Sequence, residues 1–148
     1  MVFQGTYAQW NTNRLMRIGE TALYYEDYLL SIQYFNQVIR IKPYLTDPYI
    51  KRAMAKISLG DYIGAEKDCN QAIKRNPFIP QAYFTRGFAK REMKRYKEAI
   101  TDFDKALEFS PENVAIIINR AYTQRLNKNY LEAIKDFELY RKLKPKEK

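Results

Sequence analysis

Pro43, Pro77, Pro111 and Pro145 stand 34 residues apart, three intervals in succession. A period of this length commits the chain to an array of small supersecondary units, each needing a neighbour to bury its apolar face. Other columns keep the same register. Tyr28, Tyr62, Tyr96 and Tyr130 form one, and Phe35, Cys69, Phe103 and Phe137 another. Small residues fill two more: Gly19, Ala53, Gly87 and Ala121, then Ser31, Ala65, Ala99 and Ala133. With the proline at position 32 of each unit, the repeats run 12–45, 46–79, 80–113 and 114–147.

Each unit reads as two amphipathic helices, at roughly positions 2–14 and 18–31, joined by a short turn. Gly60-Asp61 and Asn127-Lys128-Asn129 supply turn chemistry at the joint in the second and fourth repeats. The prolines end the second helices, since proline lacks an N–H and clashes with the preceding turn. Small columns let helix axes approach closely while Tyr and Phe fill the space between them.

In these columns the chain resembles the tetratricopeptide repeat (TPR) family. Its pattern is an aromatic residue at position 4, Leu at 7, Gly or Ala at 8, Tyr at 11, Ala at 20, Phe or Tyr at 24, Ala at 27 and Pro at 32. The third repeat matches through Tyr83, Gly87, Ala99, Phe103, Ala106 and Pro111, and the resemblance covers residues 12–147. It implies an all-α, right-handed superhelical solenoid of antiparallel helix pairs. The expected organisation is a single domain over 12–148, preceded by an extension over 1–11 that lengthens or caps the first helix. Position 11 departs from the family, holding Ala22, Lys56, Lys90 and Gln124, and position 7 holds Arg52, Arg86 and Arg120 in three repeats.

Position 23 is Asp68, Asp102 and Asp136 in those same three repeats, while the first repeat replaces both partners with Ile18 and Tyr34. Paired exchange points to internal Arg–Asp ion pairs; a ligand-binding arginine ladder is the alternative. Cys69 stands in a phenylalanine column and reads as a small buried hydrophobe.

At 100° per residue, positions 4, 7, 11 and 14 of each first helix share the packed side, and 2, 5, 9, 12 and 13 face away. The family resemblance implies that the far side lines a concave ligand groove. Position 5 reads Met16, Ile50, Phe84 and Ile118; position 9 reads Glu20, Met54, Phe88 and Tyr122; position 12 reads Leu23, Ile57, Arg91 and Arg125. Met16, Ile50, Met54, Phe84, Phe88, Ile118 and Tyr122 make a stripe on the order of several hundred Å², at or beyond the largest patch expected on a monomer. Lys51, Arg91 and Arg125 add positive charge beside it. The bland alternative is that curvature hides these side chains against one another.

Chaperone-binding members of the family clamp two carboxylates of an acidic C-terminal peptide. Lys and Asn at positions 5 and 9 of the first repeat, Asn at 6 of the second, and Lys and Arg at 2 and 6 of the third do this. Those positions hold Met16, Glu20, Lys51, Gln81 and Thr85, so that clamp is absent.

The expected function is a protein–protein interaction scaffold that takes an apolar segment of a partner in this groove. The alternative is homo-oligomerisation through the same stripe, and nucleic-acid binding ranks last. The net charge of +9 permits acidic partners, but Lys and Arg are interspersed with Asp and Glu. The chain has no histidine, which removes the commonest general base and metal ligand, so no enzyme activity, cofactor, metal or small-molecule substrate is expected. No apolar run approaches the ~20 residues of a membrane span. A soluble, cytoplasmic chain is the default reading. Phe3-Gln4-Gly5 resembles a protease-site scar, however, and a fragment of a longer chain allows export. Thr6 to Gln9 fits a capping box, placing the first helix start near residue 7 with Trp10 as an end cap, and Lys142–Lys148 reads as a solvated basic tail.

Overall fold

The computed structural model describes the backbone of residues 2–144 and the side chains of residues 11–144. Among them are eight helices and no strand: α1 (Val2–Tyr24), α2 (Tyr28–Ile41), α3 (Asp47–Ser58), α4 (Tyr62–Arg75), α5 (Pro80–Glu92), α6 (Tyr96–Phe109), α7 (Val114–Leu126) and α8 (Tyr130–Leu143). No helix among the described residues is long and apolar enough to cross a membrane. The chain divides into two compact units, Met1–Pro77 and Phe78–Lys148. In the first, α1 pairs with α2 and α3 with α4, and α3 packs on α2 and touches α1. The second repeats this plan with α5 to α8.

From α2 onward the helices run about one residue ahead of the expected windows, because their caps are set by the turn residues. Asp27 accepts from the Leu30 N–H and Asp61 from the Gly64 N–H, fixing the starts of α2 and α4. Pro48 and Pro80 occupy the first turns of α3 and α5, where a missing N–H costs nothing. Pro43, Pro77 and Pro111 lie just past the last residues of α2, α4 and α6. α1 begins at Val2 and not near residue 7, so the Thr6–Gln9 segment is helix interior. The side chains of Thr6, Gln9 and Trp10, and Pro145 with the end of the basic tail, lie outside the described residues.

Between the two helices of each repeat the chain turns through one left-handed residue. Position 15 has φ of 63° at Glu26, 81° at Gly60, 61° at Lys94 and 63° at Lys128. The following N–H then reaches back to position 11, as Asp27 to the Ala22 carbonyl and Asp61 to the Lys56 carbonyl, both at 2.8 Å. Only the second repeat uses the residue that this conformation favours. Glu26→Gly, Lys94→Gly and Lys128→Gly are each expected to stabilise by about 0.5–1 kcal/mol, the Cβ strain relieved exceeding the added unfolded-state entropy. Urea denaturation of the triple variant checks this; an unchanged or lowered midpoint would show the turns unstrained.

The core holds the Phe/Cys and small-residue columns read from the sequence, whereas the Tyr column stays at the surface, with Tyr28, Tyr62 and Tyr96 half-buried and Tyr130 59% exposed. Phe35, Cys69 and Phe103 are fully buried, as are Ala53, Ala121, Ala65 and Ala99. Position 8 explains why small residues are needed. A Cβ at Gly87 would lie 2.8 Å from Cε1 of Phe103, and one at Gly19 would lie 2.7 Å from Cε1 of Phe35. In the second repeat position 8 carries a methyl, Ala53, and the ring opposite is replaced by Cys69. The buried thiol leaves room for that methyl, while the fourth repeat sets Ala121 against Phe137, a ring that is only half-buried.

Candidate functional site

The three expected Arg–Asp pairs are formed, each bidentate between the two helices of one repeat. Arg86 donates Nε to Asp102 Oδ2 at 2.9 Å and Nη2 to Oδ1 at 2.7 Å. Arg120 holds Asp136 with 2.8 and 2.6 Å bonds, and Arg52 holds Asp68 with 2.8 and 2.5 Å bonds. The aspartates are nearly buried. A second cation joins two of them: Lys56 Nζ lies 2.9 Å from Asp68 Oδ2, and Lys90 Nζ 2.9 Å from Asp102 Oδ2. The departures at position 11 therefore complete the ion pairs. In the fourth repeat Gln124 takes this place and accepts instead from Asn129 Nδ2 at 2.9 Å. The arginines also reach the preceding repeat: Arg52 Nη1 donates to Asn36 Oδ1 and Arg120 Nη1 to Asp104 Oδ1, both at 2.8 Å. Burdened in this way, these guanidiniums are structural. Hydrogen bonding to Asp136 raises the Arg120 pKa further, against the opposing effect of burial.

In the first unit the expected groove residues do not all reach the surface. Met54 is 40% exposed and Met16 half-buried, but Ile50 is only 3% exposed. Ile50 is taken into the packing of α3 against its neighbours, whereas Ile118 at the same position of α7 is only half-buried. Ile50 is core, a correction to its sequence assignment. Lys51 is committed too, with its Nζ 3.3 Å from Glu20 Oε1 and 3.9 Å from Asp47 Oδ2.

In the second unit Tyr122 is 44% exposed, and Phe84, Phe88 and Ile118 are half-buried. The Phe84 ring sits 5.8 Å from that of core Phe103, so it belongs partly to the packing. Tyr122 meets Phe137 edge-on at 5.3 Å. The arginines at position 12 lie over the aromatic rings one turn back: Arg91 Cζ is 4.2 Å from the Phe88 centroid and Arg125 Cζ 5.3 Å from the Tyr122 centroid. Arg91 also donates to Asn119 Oδ1 at 2.7 Å, tying α5 to α7, and pairs with Glu92 at 3.2 Å.

Two features of the first helices escape the 100° pattern. Position 14 was expected to pack, yet Tyr25 is 75% and Leu59 47% exposed. Each first helix ends at position 13, so helical geometry does not place the next side chain. Positions 3 and 10 were not expected to pack, yet Pro48 and Ala55 on α3, and Ile116 and Thr123 on α7, are buried on helices that pack against α2 and α6. The small residues Ala55, Ala89 and Thr123 at position 10 were the available signal. In the first repeat, positions 3, 6 and 10 are instead exposed Arg14, Arg17 and Thr21. Among the described residues no group of three His, Cys, Asp or Glu side chains is placed to hold a metal ion.

Tetratricopeptide repeat models match residues 46–78 and 80–113. No curated protein sequence matches the chain. Among solved structures, MamA from Desulfovibrio magneticus RS-1 (residue 41 to its end) is similar in fold, with a TM-score of 0.82. Its identity is 17%, covering 89% of this chain and 75% of that one. The Arabidopsis OM64 TPR domain is 25% identical, over 80% of this chain and 98% of its own, with a TM-score of 0.76. The first TPR of Spaghetti (RPAP3), solved bound to the HSP90 peptide SRMEEVD, is 25% identical over 77% of this chain and 90% of its own, with a TM-score of 0.75. Four 34-residue helix pairs, built on the family's columns and matched by its models through the middle of the sequence, make this chain a member of the tetratricopeptide repeat family.

Proposed function

We propose that the protein is a non-enzymatic scaffold whose first helices bind an apolar segment of a partner protein. The observation that carries this is the set of large apolar side chains left open on those helices. Met54 and Tyr122 are exposed, and Met16, Phe88, Phe84 and Ile118 are half-exposed, although their own repeats are fully packed. An amphipathic or extended peptide laid on such a surface gains the burial that the fold itself leaves unused. The relative solved with an HSP90 peptide supports peptide binding by this fold. The acidic-tail clamp does not carry over: the Lys51 charge is held by Glu20 and Asp47, and Thr85 is buried.

The test uses Met54→Ser and Phe88→Ser together. Phe84 is spared because its ring packs on Phe103. The variant is expected to keep its helical circular-dichroism spectrum and to lose about 2 kcal/mol or more of partner affinity, roughly thirtyfold. The readout is affinity for partners recovered from the source cell by the wild-type chain. Unchanged affinity in a folded variant would move the binding surface elsewhere. Sedimentation at several concentrations tests the alternative: a wild-type dimer that becomes monomeric in the variant would make the face a homo-oligomer interface.

A further inference from the structure

The α5 and α7 face carries a cation that no carboxylate among the described residues pairs with. Of the three cations beside the apolar side chains, Lys51 is held by Glu20 and Asp47, and Arg91 by Glu92 and Asn119. Arg125 is exposed, and among the described residues no carboxylate lies within ion-pair distance of it. α7 itself contains no acidic residue. The side chain is nonetheless positioned: it lies over the Tyr122 ring, which is in turn set edge-on against Phe137. A guanidinium beside an aromatic ring, with no carboxylate in reach, keeps N–H donors available, and its fork can receive a carboxylate through two parallel bonds. Asn119, one turn before Tyr122 on the same helix, anchors Arg91 nearby, so the surroundings are apolar and polar-satisfied.

We infer that Arg125 is an acid-recognition residue, and that the partner segment carries an internal Asp or Glu flanked by aromatic or aliphatic side chains. This rests on the peptide-binding role proposed above and specifies its ligand. Single-stranded RNA is the competing occupant, since a stacked arginine beside an aromatic ring also suits a base and a phosphate. The peptide is favoured because Lys51 and Arg91 are already held by carboxylates, which leaves one cation where a nucleic-acid backbone needs a basic track.

The test uses dodecamers labelled with an uncharged BODIPY dye, acetylated and amidated so that side chains supply the only carboxylates. They alternate leucine, phenylalanine and glutamate, with counterparts in which glutamine or lysine replaces glutamate, and oligouridylate serves as the nucleic-acid probe. By fluorescence anisotropy on the full chain, the glutamate peptide is expected to bind about tenfold tighter than the glutamine one. Arg125→Gln, a surface change that retains the helical spectrum, is expected to abolish that difference. Glutamate and glutamine peptides binding alike, both lost in the Met54→Ser, Phe88→Ser variant, would overturn this inference and leave the apolar face standing. Preference for lysine, or oligouridylate binding that Arg125→Gln removes, would also overturn it. Absence of any peptide binding would count against both.

Discussion

Arg120→Met should lower folding stability by about 3 kcal/mol, the low end of the range for breaking a buried ion pair because the guanidinium edge is partly wet. Asp136 would be left nearly buried, and among the described residues no second cation touches it, since position 11 of that repeat is Gln124. Arg86→Met is the internal comparison. There Asp102 keeps Lys90 at 2.9 Å, so the loss should be distinctly smaller. Adding Asp136→Leu to Arg120→Met, or Asp102→Leu to Arg86→Met, removes the orphaned charge and should recover part of the stability. Equal losses for the two arginines in urea denaturation would show that Lys90 contributes nothing. Loss of partner binding in a stably folded Arg86→Met variant would instead make the arginines a ligand ladder.

Phe103→Cys should cost about 3 kcal/mol, as the fully buried ring leaves a cavity in a column with no slack. Gly87→Ala should cost about 1–2 kcal/mol despite its better helix propensity. Its methyl would meet that ring at 2.8 Å and the Ala99 carbonyl oxygen at 3.1 Å. Together the changes rewrite the third repeat with the second repeat's pairing of Ala53 and Cys69. The double variant should lose less than the two losses added, by about 1 kcal/mol, because the methyl occupies space vacated by the ring. Strict additivity would mean that the two positions do not share a volume.

The period, the helix pairing and the core columns were legible because a repeat states each packing constraint several times over. The ion pairs were legible for the same reason: Ile18 and Tyr34 replace both partners at once in the first repeat. Lys56 and Lys90 looked like departures from the family, since their role appears only when the aspartate's remaining oxygen is located. Ile50 was misplaced because helical angle fixes a side chain's direction but not how its neighbours pack around it. Tyr25 and Leu59 were misplaced because they fall one residue past their helix ends. The commitment of Lys51 to Glu20 depends on a distance between helices that no single-repeat pattern encodes.

The arginine forks have a consequence for how the array unfolds. Arg52 holds Asp68 in its own repeat and Asn36 in the one before, and Arg120 holds Asp136 and Asp104 in the same manner. In a nearest-neighbour lattice description, the first bond of each fork belongs to a repeat's intrinsic energy and the second to the coupling between sites. Cutting only the second, by Asn36→Ala or Asp104→Ala, weakens the coupling while sparing the buried pair. The transition should then broaden, fraying one repeat ahead of its neighbour, with little change in the stability of either repeat alone.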